Sequence, residues 1–495
     1  MGSTFGAALG NALLPEIILA SLAAVCALLG LLRRGERPDL YRWIAVLGLA
    51  GAVAAAALTL HATSGIAHGI VIAVWGGGLV VDDFSIYVTV VVCAFSIITC
   101  LASDTYLRQI PTRSAAFSAL VLLITAAVSA LAAERDMVTM FLTLELMIVG
   151  MTALQALIKP DDIAAESAWK YFVEGAVATA VILYGLVILY GVTGSTSLSS
   201  VAAAIGRAPA PATLGITLVL LGLTFPLGIV PLRQWISRAG EATPAVVAGF
   251  CVTFGITAGA VAVARFGVSG LGVSIGPWLG LAAVLAAIAL VHAALTALRE
   301  TRVTRVVGAM ASAQAALLLL AALSTGIGAS HAPAQGGTAL VFAVAVFGVA
   351  LLATFVALAI LQAARFPDAV DEFRGLGQRS PYAALLLAFA LAALAGVPPA
   401  AGFVARLFIV ESAVDAGYGW LGALGIAAVA VAAVPVIRLI AVMYAEPGAE
   451  QPFTMAASPR MTRIVAGACC AAAFLGIVVL QPLLMLSQGG AGPLP

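Results

Sequence analysis

Charge is what this sequence has least of. Asp, Glu, Lys and Arg together make up 9% of its 495 residues, against roughly a quarter in a soluble globular protein. So few ions cannot cover a water-facing surface. Soluble enzymes, nucleic-acid binders and disordered scaffolds are therefore excluded together. The net charge of +1 offers nothing to an acidic partner. Lysine is nearly missing, with only Lys159 and Lys170 among 23 cationic residues. That scarcity matters because a buried lysine can give up its proton and an arginine effectively cannot. Also missing are CxxC spacings, Cys/His clusters and nucleotide-binding loops. The six cysteines, Cys26, Cys93, Cys100, Cys251, Cys469 and Cys470, all lie in apolar runs and read as small buried hydrophobes. The sequence gives no disulfide frame, haem site or iron–sulfur site, and no cofactor or metal is expected on this chain. A cleavable signal pattern is absent too. Pro15 and Glu16 interrupt the first apolar run, which continues to about residue 32 and reads as a membrane helix.

What is present is apolar: 63% of the residues are hydrophobic and the mean hydropathy is +1.15. A span needs about 20 apolar residues. Such runs fall at 13–32, 41–60, 84–102, 115–133, 137–158, 169–191, 213–232, 244–264, 278–298, 306–325, 338–362, 381–403, 418–443 and 464–486, fourteen in all. The chain thus reads as one integral membrane domain, all-α and polytopic. With both termini outside, the inner loops hold 17 cations and the outer loops three, Arg135, Arg207 and Arg265. That asymmetry is the expected positive-inside pattern, and a wrong helix count would scramble it.

Ionisable groups inside hydrocarbon are costly, so they usually face a bundle interior and pair. Glu145 stands mid-span in FLTLELMIVG, and Lys170 and Glu174 are i and i+4 on one face of the next run. Arg406 and Glu411 follow the segment GVPPAAGF, Arg438 lies in VPVIRLIAVMY, and His292 lies near the inner end of run nine. Two readings stand side by side: a chain of protonatable sites, or ion pairs that hold helices together. In the second, Glu174 simply neutralises Lys170. Proline breaks two runs, the seventh at Pro226 and Pro231 and the twelfth at Pro398 and Pro399. Freed backbone at membrane depth must line a cavity or pack on protein. Paired breaks five runs apart suggest two inverted five-helix repeats, helices four to eight (115–264) and nine to thirteen (278–443). Helices one to three (1–102) then precede them and one helix (464–486) follows.

The segments LLPEIILA, FLTLELM, ESAWKYFVEGA, LYGVTGS, VPLRQWISRAGEATPAVVAGF, ALRETRVTRVVGAMAS, DEFRGLGQRSP, LAGVPPAAGFVARLF and VIRLIAVMYAEP run along nearly the whole chain. In this order they resemble the antiporter-like proton-pumping subunits of respiratory complex I, and are most similar to subunit N of bacterial NADH–quinone oxidoreductases. The resemblance implies proton transfer driven by quinone reduction elsewhere in an assembly. NADH, FMN, iron–sulfur clusters and quinone would be bound by partner subunits, in a bacterial plasma membrane. It places Glu145 and Lys170 as a Glu–Lys pair, in which a nearby carboxylate sets the charge state of a lysine in a low dielectric. Glu174, Arg406 and Arg438 complete the candidate path.

The chain departs from the family pattern where lysines are usual. Pro226 follows Phe225, Phe254 and Gly255 stand in run eight, and Arg406 stands in run twelve. Arg233 and Arg238 replace a usual histidine and aspartate, and Glu174 replaces an apolar residue. The alternatives are therefore a degenerate, non-pumping structural paralogue, a subunit of a multisubunit cation/proton antiporter or membrane-bound hydrogenase, and a small-solute transporter.

Overall fold

A computed structural model describes residues 13–32, 37–63, 72–74, 78–157, 162–201, 208–267, 278–325, 334–446 and 460–475. The helices are α1 (Leu14–Leu32), α2 (Pro38–Thr63), α3 (Asp83–Ala102), α4 (Ser114–Ala132), α5 (Met137–Gln155) and α6 (Asp162–Thr193). A broken pair follows, α7a (Pro209–Leu227) and α7b (Gln234–Ala242), then α8 (Ala245–Arg265), α9 (Trp278–Arg299), α10 (Val303–Ser324) and α11 (Ala334–Ala363). A second broken pair, α12a (Pro381–Ala395) and α12b (Ala401–Asp415), precedes α13 (Gly419–Tyr444) and α14 (Arg460–Leu475). Each of the fourteen apolar runs coincides with one of these elements. Among the described residues, twelve helices are long and apolar enough to cross a membrane. The chain is a multi-pass membrane protein. The end of the fourteenth run, together with Arg33, Arg34, Lys159 and Arg207, lies outside the described residues.

The hydropathy pattern gives no hint of β structure, yet a short hairpin packs at one end of the bundle. Strands β1 (Ile72–Val74) and β2 (Leu79–Val81) pair antiparallel. Asp82 ends the hairpin and starts α3 with a capping box, accepting from the Ser85 backbone N–H. Asp136 caps α5 in the same way, through the N–H groups of Val138 and Thr139.

The core lies where α8, α10 and α11 meet. Every residue of the spanning windows of α8 and α10 is buried, against 22% for α1 and 39% for α6. α8 packs on α3, α4, α5, both halves of helix seven, α10 and α11. Lipid supplies no hydrophobic drive between helices, so close approach rests on small residues. α6 and α7a show this. A Cβ on Gly185 would stand 2.6 Å from the Gly215 carbonyl oxygen, and one on Gly222 would stand 2.7 Å from that of Ala178.

Candidate functional site

The two breaks share a plan. In helix seven, Pro226 sits in the last turn of α7a, Gly228 adopts the left-handed conformation and a cis Val230–Pro231 bond precedes α7b. In helix twelve, Gly396 adopts the same conformation and a cis Pro398–Pro399 bond precedes α12b. Each break strands the last carbonyls of a helix inside the protein, where they need donors. The donors differ. At the first break the Trp235 indole N–H donates to the Phe225 carbonyl at 2.7 Å. At the second, Arg406 donates to Ala395 at 2.5 Å and to Leu394 at 2.6 Å, while Gln314 of α10 also donates to Leu394 at 2.7 Å. The Arg406 guanidinium lies over the Phe347 ring at 5.7 Å. Among the described residues no carboxylate pairs with it.

The middle of the first half is aromatic. Tyr171, Phe225 and Trp235 are fully buried, with ring centroids 5.2 to 6.0 Å apart. A Cβ on Gly255 would meet the Trp235 ring at 2.7 Å and the Pro226 carbonyl oxygen at 3.2 Å. The indole therefore fills the space beside the position where the family resemblance expects a lysine, and only glycine fits there.

The intramembrane charges pair differently from the i,i+4 reading. Glu174 does not neutralise Lys170. It pairs with Arg238 of α7b at 2.5 Å, and Lys170 pairs with Glu166 at 2.5 Å. The reason is directional. Helical side chains lean toward the N-terminus, and a glutamate four residues before a lysine is the favoured order. Lys170 and Glu166 are also exposed, by 50% and 61%, so this pair lies on the rim of the bundle. Glu145 is half-buried mid-helix in α5, and neither a hydrogen bond nor an ion pair is seen for it among the described residues. Arg438 is placed at the bundle edge, 71% exposed and 3.8 Å from Asp371 in the loop before α12a. Glu411 is exposed, and His292 bonds Arg233 at 3.1 Å.

The most enclosed ion pair escaped the sequence reading. Arg265, read there as a loop cation, belongs to the last turn of α8 and is 1% exposed. It grips Asp82 with two nitrogens, at 2.5 and 2.7 Å, and its Nε donates to the Ala132 carbonyl at 2.5 Å. Nearby, Ser129 donates to Glu16 at 2.6 Å and shares a 2.6 Å bond with Thr89. No local motif announces these contacts, because the partners lie up to 183 residues apart.

The family described as NADH:quinone oxidoreductase/Mrp antiporter, transmembrane region, matches residues 134–432. Subunit N of the NADH-quinone oxidoreductase of Heliobacterium modesticaldum is 30% identical over 83% of this chain and 84% of the relative. The chain belongs to the subunit N family of NADH-quinone oxidoreductase. It is an antiporter-like membrane subunit of that family. The relative from Trichlorobacter lovleyi is 26% identical over 89% of this chain and 88% of its own. Respiratory complex I from Thermus thermophilus contains a chain with a TM-score of 0.78 and 26% identity, covering 96% of this chain and 100% of that one. The Mrp complex of Dietzia shares the fold at a TM-score of 0.81, with 18% identity and 97% of both chains covered.

Proposed function

We propose that this subunit takes part in proton translocation coupled to quinone reduction in a complex I-type assembly of a bacterial plasma membrane. Redox cofactors and quinone belong to partner subunits, and both termini face outward. The observation that carries the reading is the pair of matching helix breaks, each with fixed charge beside it: Arg238–Glu174 at the first and Arg406 at the second. Half-buried Glu145, for which no ion pair is seen among the described residues, stands in the proton path with Lys170, Glu174, Arg406 and Arg438. The matching breaks also favour the inverted repeats 115–264 and 278–443. The exposed faces of α5 and α6 carry Leu142, Val149, Trp169, Val177 and Tyr184 beside Glu145 and the Lys170–Glu166 pair. A charged pair is poorly placed against lipid, so this face suits a neighbouring membrane subunit.

One observation favours a second reading, a scaffold that does not pump. The Tyr171–Phe225–Trp235 cluster fills the centre of the first half with aromatic rings where the family resemblance implies lysine. The proton-to-electron ratio of the assembled complex in membrane vesicles separates the two. Glu145→Gln lowers the ratio if the subunit pumps, and an unchanged ratio with normal quinone reduction selects the scaffold.

A further inference from the structure

The segment joining α4 to α5 is extended and roofed by the hairpin. Glu134 bridges Leu79, Val80 donates to Ala133, and Arg135 donates to Gly78. Side chains alternate along such a segment. Glu134 therefore turns in beneath the hairpin, and its neighbour Arg135 does not reach it. The Glu134 side chain is completely buried. One carboxyl oxygen accepts from the Thr143 hydroxyl, two turns down α5, and the other has no hydrogen-bond partner among the described residues. The charges that act on it are Arg265 from α8 and Asp136 from its own segment, while Asp82 at the hairpin–α3 junction and Arg135 both interact with Arg265. Asp82 is already matched by Arg265, and Asp136 is used in capping α5. Arg135 keeps two buried nitrogens without partners.

We infer that Glu134 is a proton-binding site on the outward side, holding a proton on its free oxygen and releasing it to the outer water. The inference rests on the pumping reading for its direction only. In the loaded state the carboxyl is neutral, as full burial requires of an unpaired acid. Burial pushes the Glu134 carboxyl well above the ordinary carboxylate range, while the Thr143 bond and the Arg265 charge oppose that shift. On release, the O–H bond breaks and the proton passes to water. The remaining carboxylate is held by the Thr143 hydroxyl and is favoured by the Arg265 charge.

Infrared difference spectra of the assembled complex test this directly during a pH titration. The expected result is a protonated-acid carbonyl band at neutral pH that disappears on raising the pH and is lost in Glu134→Gln. That variant keeps the acceptor for Thr143, so packing is preserved. Thr143→Val removes a bond that favours the carboxylate, and shifts the loss of the band to higher pH. Glu134→Gln also lowers the proton-to-electron ratio in vesicles. Absence of a Glu134-dependent band at neutral pH overturns the assignment, as does an unchanged ratio in Glu134→Gln when Glu145→Gln lowers it. If Glu145→Gln has no effect and the band persists, the pumping reading falls and the proton-holding assignment stands.

Discussion

Replacing Gly396 by alanine should be far more damaging than the same change at Gly228, although both residues have left-handed backbones, with φ of 72° and 66°. The conformational cost is shared, at about 1–2 kcal/mol for a residue with a Cβ. The neighbours differ. At Gly228 the new methyl meets the Ile236 side-chain tip, which can turn away while Trp235 keeps its bond to Phe225. At Gly396 it coincides with Nη1 of Arg406. The guanidinium can also swing, but only by leaving the Ala395 and Leu394 carbonyls, and bonds to a charged donor contribute about 1.5–3 kcal/mol each. The total for Gly396→Ala is then about 4–8 kcal/mol, of which all but the backbone cost runs through Arg406. Unfolding of the purified chain in mixed detergent micelles measures both variants. A double-mutant cycle with Arg406→Met isolates the shared part, because in that background Gly396→Ala should cost only its backbone share. Equal destabilisation by Gly228→Ala and Gly396→Ala, or additivity with Arg406→Met, would refute the reasoning.

Breaking the Asp82–Arg265 pair from one side should cost about 3–5 kcal/mol, because an uncompensated charge is left fully enclosed. Asp82→Asn is the cleaner probe, since asparagine still caps α3, and combining it with Arg265→Gln should recover much of the loss in thermal unfolding. Lys170→Met should change the stability of the isolated chain by less than about 1 kcal/mol, as expected for an exposed pair. Arg238→Leu strands the more enclosed Glu174 and should cost about 1–3 kcal/mol. Similar values for these last two variants would return Glu174 to Lys170.

The spans were legible because lipid imposes one rule on every crossing element, a long apolar run with charges at its ends. The breaks were legible for a related reason, since a proline removes a backbone donor: Pro226 falls in the last turn of α7a, and Pro231, Pro398 and Pro399 fall in the gaps. The pairing of charges was not. Spacing alone put Lys170 and Glu174 on one face, yet side-chain lean and the arrival of Arg238 from α7b decided the partners. Gly255 read as a departure from the family pattern, and its meaning became plain only with the Trp235 ring against it. Arg265 looked like a loop residue, and Glu134 drew no notice, because hydropathy does not reveal that a hairpin packs at the bundle end.

The complete enclosure of α8 and α10 has a consequence for how the protein meets different membranes. A bilayer thicker or thinner than the protein strains the helices it touches by tilting them. Here such strain falls first on open helices such as α1 and α6. The breaks lean inward instead. Gly259 of α8 closes against Leu227 at the end of α7a, and Gln314 of α10 ties down Leu394 at the end of α12a. The two break points are therefore held by fully enclosed helices, so membranes of different lipid composition should leave the Arg406 and Trp235 contacts unchanged.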